Sequence, residues 1–297
     1  MVKTRRRNAV AIVNPNTGVA SRPHLAELLT SAAARHNVTL TIVATTHAGE
    51  TADLARANAK DADFLIAVGG DGTVSDVITG SVGSAVTIGI IPAGSTNMIA
   101  KELGIPRNIQ QAAEIAFGAG SVRAIDMARV GDATTCVHMT GAGYDAEIMA
   151  RVDPTLKRRL RWVAYLPPAI RLLHYPGFNA TITVDGKTVR RHARLILCAL
   201  GGSFIHPRFR VGEGIDRTDG WIEVCLWDPP GLLATLTSLG WIAMGKPGRS
   251  RWLRQTRGKR IELSADRPVP LEVDGDHIGE LPTVIQILEE QVTVCVP

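Results

Sequence analysis

Three times in the first hundred residues a short apolar run ends in a loop of small and polar residues and then gives way to a helical pattern. Ala9–Val13 leads into Asn14-Pro15-Asn16-Thr17-Gly18. Phe64–Val68 leads into Gly69-Gly70-Asp71-Gly72-Thr73, and Val86–Ile91 into Pro92-Ala93-Gly94-Ser95-Thr96-Asn97. Between the first two lie a helix over Pro23–Ala34, with Leu25, Leu28, Leu29 and Ala32 at helical spacing, a strand over Val38–Ala44 and a helix over Ala48–Ala59. Strands alternating with helices predict a parallel sheet covered on both faces. Loops that follow parallel strands gather along the carboxyl edge of the sheet, where open α/β sheets bind their ligands.

Beyond about Ile125 the pattern changes. Val122–Val130, Thr134–Thr140, Ala180–Val184, Thr188–Leu200, Trp221–Trp227, Lys259–Ser264, Val269–Val273 and Thr283–Val296 read as strands. Asp185-Gly186 and Asp274-Gly275 sit between such runs and predict tight hairpin turns. Helical pieces interrupt near Thr155–Leu173 and Leu232–Met244. The expected architecture is an α/β domain over 1–125 with an open parallel sheet, followed by an antiparallel β-sandwich over 126–297. A chain of 297 residues, 45% hydrophobic and 21% charged, has the composition of such a two-domain globular protein. Aromatics are only 4%, so the core is mostly aliphatic.

The Gly-Gly-Asp-Gly-Thr loop carries the strongest chemical signal. Glycines let a backbone approach a ligand closely, and free N–H groups at the start of the next helix favour an anion such as a phosphate. Asp71 would oppose a bare phosphate. It makes sense if it orients the loop, contacts a ribose or amide, or meets a metal that bridges phosphates; a plain helix cap is the simpler role. Neither the dinucleotide GxGxxG pattern nor GxxxxGK[ST] occurs, which removes the Rossmann and Walker routes.

These motifs, with Asp219-Gly220 before a strand and Val273-Asp274-Gly275-Asp276 near the end, resemble the diacylglycerol kinase catalytic-domain family, the lipid kinases that include sphingosine and ceramide kinases. The resemblance covers nearly the whole chain. It implies an ATP-dependent kinase that transfers the γ-phosphoryl group to a lipid hydroxyl, with diacylglycerol giving phosphatidic acid as the first expectation. It implies an ATP site formed by Asn14, Pro15, Asn16, Thr17, Gly18, Thr45, Thr46, Gly69, Gly70, Asp71, Gly72, Thr73, Asp76, Gly94, Ser95, Thr96 and Asn97. It also implies a structural Mg²⁺ at Asp216, Asp219 and the backbone of Trp221, where two hard carboxylates stand three residues apart. The implied catalytic residues are Asp274 and Asp276. Family members end this motif in Asp-Gly-Glu, so Asp276 is one methylene short and Asp274 ranks first as the base. The rival readings are a kinase of a soluble substrate, such as an NAD kinase, and a catalytically silent lipid-binding protein.

Charge points to an anionic partner. The net charge is +5, and the basic residues cluster: four in 1–7, six in 151–171 and seven, with no acid, in 246–260. The stretch 157–166 mixes Lys157, Arg158, Arg159 and Arg161 with Trp162 and Tyr165, and Trp252 lies within the third cluster. Basic flanks around aromatic anchors suit an anionic bilayer surface. No RNP, KH or helix-turn-helix pattern accompanies them, so no nucleic-acid partner is expected. Ala9–Val13 is too short for a signal core, and no run reaches the ~20 residues of a membrane span. The four cysteines show no metal or redox spacing. A cytoplasmic enzyme peripherally attached to the inner face of the membrane is expected, with a homodimer left open.

Overall fold

The computed structural model describes residues 6–17, 24–47, 49–151, 166–172, 174–204 and 207–297. The chain divides into two units, Met1–Ile125 with Glu290–Pro297, and Asp126–Glu289.

The first unit alternates strand and helix: β1 (Arg7–Val13), α1 (Leu25–Arg35), β2 (Val38–Ala44), α2 (Glu50–Asn58), β3 (Phe64–Gly69), α3 (Asp71–Ser81) and β4 (Thr87–Pro92). Two short helices, α4 (Met98–Glu102) and α5 (Ile109–Glu114), and β5 (Ser121–Ile125) follow. The sheet order is β2-β1-β3-β4, continued by the last strand of the chain, β18 (Val292–Val296), and then β5. β1 to β4 run parallel. Every residue of β3 is buried, as expected of a central parallel strand covered on both faces. The order 2-1-3 places a topological switch point between β1 and β3, and ligand crevices in doubly wound sheets open there, beyond the strand carboxyl ends.

The second unit holds two six-stranded sheets. Its strands are β6 (Ala128–Val130), β7 (Thr134–Cys136), β8 (Met139–Gly143), β9 (Phe178–Val184), β10 (Lys187–Ala193), β11 (Leu195–Ala199), β12 (Ile222–Trp227), β13 (Leu253–Gly258), β14 (Arg260–Ala265), β15 (Pro270–Val273), β16 (Asp276–Glu280) and β17 (Thr283–Ile287). The orders are β10-β9-β14-β17-β6-β7 and β13-β12-β11-β8-β15-β16, and every pairing is antiparallel. One apolar core draws Ile182, Ile261 and Leu263 from the first sheet and Ile196, Val224 and Val273 from the second, which makes the unit a sandwich. Both aspartyl-glycyl turns take positive φ at each residue, Asp185 and Gly186 joining β9 to β10, Asp274 and Gly275 joining β15 to β16. Among the described residues three α-helices accompany the sheets: α6 (Tyr144–Arg151), α7 (Leu166–Arg171) and α8 (Gly231–Ala243).

Two long apolar runs turn out to be divided between the units. Val122–Val130 becomes β5 and β6, and Thr283–Val296 becomes β17 and β18. Residues 290–297 therefore belong with the first sheet, not with a second domain over 126–297. Apolar periodicity reports burial and is blind to which sheet does the burying. Of the helix expected over 155–173, Leu166–Arg171 is helical, and 155–165 and 173 lie outside the described residues.

Candidate active site

Three loops stand at the carboxyl ends of the adjacent strands β1, β3 and β4. Asn14 follows the first strand directly and is tied inward by N–H to Val68 O at 3.1 Å. Its Oδ1 accepts from Asn16 N at 3.0 Å, and its Nδ2 donates to Thr73 Oγ1 at 3.4 Å, so the first loop leans on the second. Thr17 closes the turn through Oγ1 to Asn14 O at 3.0 Å, with Pro15 and Asn16 exposed. Gly18 lies outside the described residues.

The second and third loops touch backbone to backbone. A Cβ on Gly94 would stand 2.5 Å from Gly70 Cα, and one on Gly70 would stand 3.3 Å from Gly94 Cα. Only glycine permits that approach. α3 begins at Asp71 with no side-chain cap, so its first-turn N–H groups, which have no intrahelical partner, open where Gly70 and Gly72 leave room. Ser95 at the tip of the third loop is exposed. Buried Asn97 holds a left-handed φ of 51° and bonds the loop to itself, accepting from Gly94 N at 2.8 Å and donating to Gly94 O at 2.8 Å.

Asp71 locks these loops together. Its Oδ2 accepts from Thr96 Oγ1 at 2.8 Å and its Oδ1 from Ile99 N at 3.1 Å. The carboxylate thus faces the third loop and the start of α4. Lys101, on α4, lies within the electrostatic reach of Asp71; burial and the charge of Arg107 lower its pKa and Asp71 raises it. Thr45 is buried and donates its N–H to Val13 O at 2.9 Å. Thr46 donates through N and Oγ1 to Glu50 Oε2 at 2.6 and 2.9 Å, which holds the Glu50 carboxyl below its usual range. Both threonines secure the β2 edge, and Asp76 lies on α3, beyond its first turn.

The acids of the second unit gather around β8, β15 and β16. Asp274 caps the distant segment that joins β7 to β8: Oδ1 accepts from His138 N at 2.9 Å and Met139 N at 3.1 Å, and Oδ2 from Val137 N at 2.9 Å. Cys136 Sγ lies 3.6 Å from Oδ1. Both oxygens are therefore already engaged. Asp276 opens β16 and is exposed. Beside them, Asp145 and Glu272 share a buried setting. Burial drives the Asp145 carboxyl up to about 7. Glu272 is pushed well above its usual range, first by burial, then by the charges of Asp145, Asp274 and Asp276. Gly141 leaves the room this needs, since a Cβ there would overlap the Asp145 carboxylate.

A second acidic turn carries Asp216 and Asp219. Asp216 Oδ1 accepts from Thr218 N at 3.1 Å and Thr218 Oγ1 at 2.8 Å, and Asp219 Oδ1 from Trp221 N at 3.1 Å. The Asp219 carboxyl is raised by burial and by the charges of Asp216 and Asp126. Asp126 is buried and accepts from Gly220 N at 2.8 Å, which binds this turn to the start of the unit. Such crowded negative charge is what a divalent cation relieves, and carboxylate and carbonyl oxygens suit a hard one. Among the described residues no three His, Cys, Asp or Glu side chains converge as metal ligands, so a cation here would draw on backbone oxygens.

The structure thus brings together Asn14, Gly70, Thr73, Gly94 and Asp71 with Thr96 at one sheet edge, and Asp274 with Asp276 at one hairpin. Sequence reading missed Lys101, Asp126, Asp145 and Glu272. Lys101 had a weak signal in its place on the helix after the third loop. The others become visible only once strand pairing is known.

A family profile described as the diacylglycerol kinase catalytic domain matches residues 8–130. One described as the YegS C-terminal NAD kinase beta sandwich-like domain matches 138–296. A protein named diacylglycerol kinase from Bacillus subtilis is 28% identical over 98% of this chain and 97% of its own length. An uncharacterized protein of Synechocystis is 30% identical over 79% of this chain, which spans 55% of that longer protein. A solved structure described as a putative diacylglycerol kinase from Bacillus anthracis superposes with a TM-score of 0.79 at 22% identity, covering 99% of this chain and 97% of that one.

Proposed function

The chain belongs to the diacylglycerol kinase catalytic-domain family of lipid kinases, and on that premise we propose that it transfers the γ-phosphoryl group of ATP to a lipid hydroxyl, with diacylglycerol the first acceptor and phosphatidic acid the product. The observation that carries this reading is the pair of glycine loops in backbone contact at the carboxyl ends of β3 and β4, beside the β1/β3 switch point, bolted by Asp71 to Thr96 and Ile99.

Phosphates would lie on the open N–H groups of Gly70 to Thr73 and against the third loop, with the positive end of α3 behind them. Asp71 orients the loops and does not face the phosphates directly. Lys101 supplies a cation close to them. Mg²⁺ arriving with ATP would spread charge on the phosphoryl oxygens. At the other end of the reaction a carboxylate takes the proton from the lipid hydroxyl as its oxygen bonds to phosphorus and ADP leaves. Asp276 is the better base: Asp274 spends its oxygens on three backbone N–H groups, whereas Asp276 is exposed and keeps its lone pairs. A divalent cation at Asp216 and Asp219 is proposed as structural.

The test is purified protein with γ-labelled ATP and a panel of diacylglycerol, ceramide, a sphingoid base, phosphatidylglycerol and NAD. Label in a lipid is expected. Label in NAD alone would favour a soluble-substrate kinase, and label nowhere would favour a silent lipid binder; either overturns the proposal.

A further inference from the structure

α8 is built inside out. Its inward face is small and polar: Ala234, Thr235 and Ser238 are buried. Thr235 Oγ1 accepts from the buried Arg194 Nη1 at 2.8 Å. Ser238 Oγ accepts from Trp227 Nε1 at 2.6 Å and shares a hydrogen bond of 2.6 Å with Ser250 Oγ. Leu239 also packs inward against the sandwich core, whereas the other three leucines of the helix face outward. Leu233 is 81% exposed, Leu236 50% and Leu232 38%, and Met244 just past the helix end is 58% exposed. At 100° per residue Leu233, Leu236, Gly240 and Met244 fall on one stripe. No residue from 229 to 245 is charged. A solvated helix has the opposite arrangement, and contiguous exposed apolar stripes mark an interaction surface.

The chain then closes back on the helix and brings positive charge. Lys246 N donates to Trp241 O at 2.9 Å, and Arg249 lies over the Trp241 ring at 5.3 Å. Lys246, Arg249 and Arg251 all reach solvent, and 246–260 holds no acid. A stripe of leucines bordered by cations and a tryptophan complements an anionic bilayer: the leucines meet acyl chains and the cations meet headgroups. Thirteen residues rise only about 20 Å, short of the ~30 Å hydrocarbon core, so the helix would lie in the interface and not cross it. Among the described residues no helix is long and apolar enough to span a membrane.

We propose that the outward face of α8, with Lys246, Arg249 and Arg251, is a docking surface for anionic lipid bilayers. This enlarges the membrane contact expected through 157–166 and 246–260, of which 157–165 lie outside the described residues. Docking of this kind would deliver a lipid kinase to its acceptor and depends on the reading above only in that sense, because vesicle binding needs neither ATP nor turnover.

The experiment is co-sedimentation of the full chain with phosphatidylglycerol–phosphatidylcholine vesicles and with phosphatidylcholine alone. It compares the parent, the pair Leu233→Glu with Leu236→Glu, and the pair Lys246→Gln with Arg251→Gln. Melting temperature confirms folding and analytical ultracentrifugation gives the oligomeric state. The parent should bind the anionic vesicles, with binding that weakens as salt rises. The leucine pair should bind at least ~10-fold more weakly, as expected when two leucines no longer enter the apolar phase. The basic pair should lose binding on anionic vesicles only. Unchanged vesicle binding by the leucine variant would overturn the proposal. So would a parent dimer that the leucine variant converts to monomer with vesicle binding intact, since the face would then join two copies of the chain. A chain that binds vesicles yet labels no lipid would sink the kinase reading and leave this one standing.

Discussion

The glycine loops of the first unit and the acid hairpin of the second solve opposite problems with opposite materials. At the sheet edge, the proposed working parts are backbone: Gly70 and Gly94 in contact, open N–H groups at the start of α3, and one aspartate used as a bolt. At the hairpin, the proposed working parts are side chains: Asp274 and Asp276 stand beside Asp145 and Glu272, whose carboxyls burial, with added charge repulsion at Glu272, holds above the usual carboxylate range. An anion is bound by dipoles that cost little to expose. A proton is moved by charges that must be held near one another against repulsion and desolvation. The first site should thus fail through shape, the second through charge.

The largest effect is expected where shape fails. Gly94→Val would push a side chain into Gly70 Cα, because even a lone Cβ at residue 94 would stand only 2.5 Å from it. Its kcat/KM for ATP should drop by ~100-fold or more, about 2.7 kcal/mol in the barrier. Steady-state kinetics with ATP varied checks this, and a variant within about threefold of the parent would show that the loops do not hold the phosphates.

Charge failure should appear in the pH dependence of stability. An acid whose folded pKa is raised to about 7 holds its proton more tightly folded than unfolded. Its contribution is therefore complete below the ordinary value of ~4 and is lost as pH climbs through 7. Tm of the parent should fall from pH ~4.5 to ~7.5 over and above the change that other groups cause, and Asp145→Asn should flatten the slope. Thermal melts across that range decide it. An equal slope in both proteins would mean that the pair is not protonated as described.

A smaller effect is expected at the second acidic turn. Asp216→Asn with Asp219→Asn removes the two carboxylates of the turn, where burial and then the charges of Asp216 and Asp126 raise the Asp219 carboxyl. Adding Mg²⁺ should raise Tm of the parent by a few degrees and leave the variant unmoved. Equal melting curves with and without Mg²⁺ in the parent would remove the cation.

The mildest case separates binding from folding within one loop. A Cβ on Gly72 meets nothing within 4 Å, and the residue lies in the first turn of α3. Gly72→Ala should leave stability the same or raise it by up to ~1 kcal/mol, as helix propensity dictates, while KM for ATP rises. Calorimetric melting beside ATP titration reads both. A fall in stability with unchanged KM would place no ligand at Gly72.

The same division of materials governs what could be read in advance. Glycine loops after apolar runs are local, so the alternation of strand and helix and the loop residues Asn14, Gly70 and Gly94 followed from sequence. So did both aspartyl-glycyl turns, because type I′ geometry is set by two adjacent residues. Asp145 and Glu272 are far apart in the chain, and only the pairing of β8 with β15 makes them neighbours. The role of Asp274 was obscured for a similar reason. Its carboxylate is consumed by the N–H groups of Val137, His138 and Met139, which no spacing rule connects to residue 274. The return of β18 to the first sheet was hidden because β17 and β18 form one apolar run, and β13 was hidden because its exposed arginines read as a charge cluster.

The most direct measurement sets transfer of label from γ-labelled ATP to diacylglycerol beside thermal melting, for the parent, Asp276→Asn and Asp274→Asn. The parent should make labelled phosphatidic acid. Asp276→Asn should keep its Tm and lose ~10²–10⁴-fold in kcat, the usual scale of a positioned base. Asp274→Asn should lose about 2–4 kcal/mol of stability, because three backbone N–H groups exchange a carboxylate for a weaker acceptor. A parent that labels no lipid, or an Asp276→Asn protein that labels diacylglycerol at the full rate, would contradict the account.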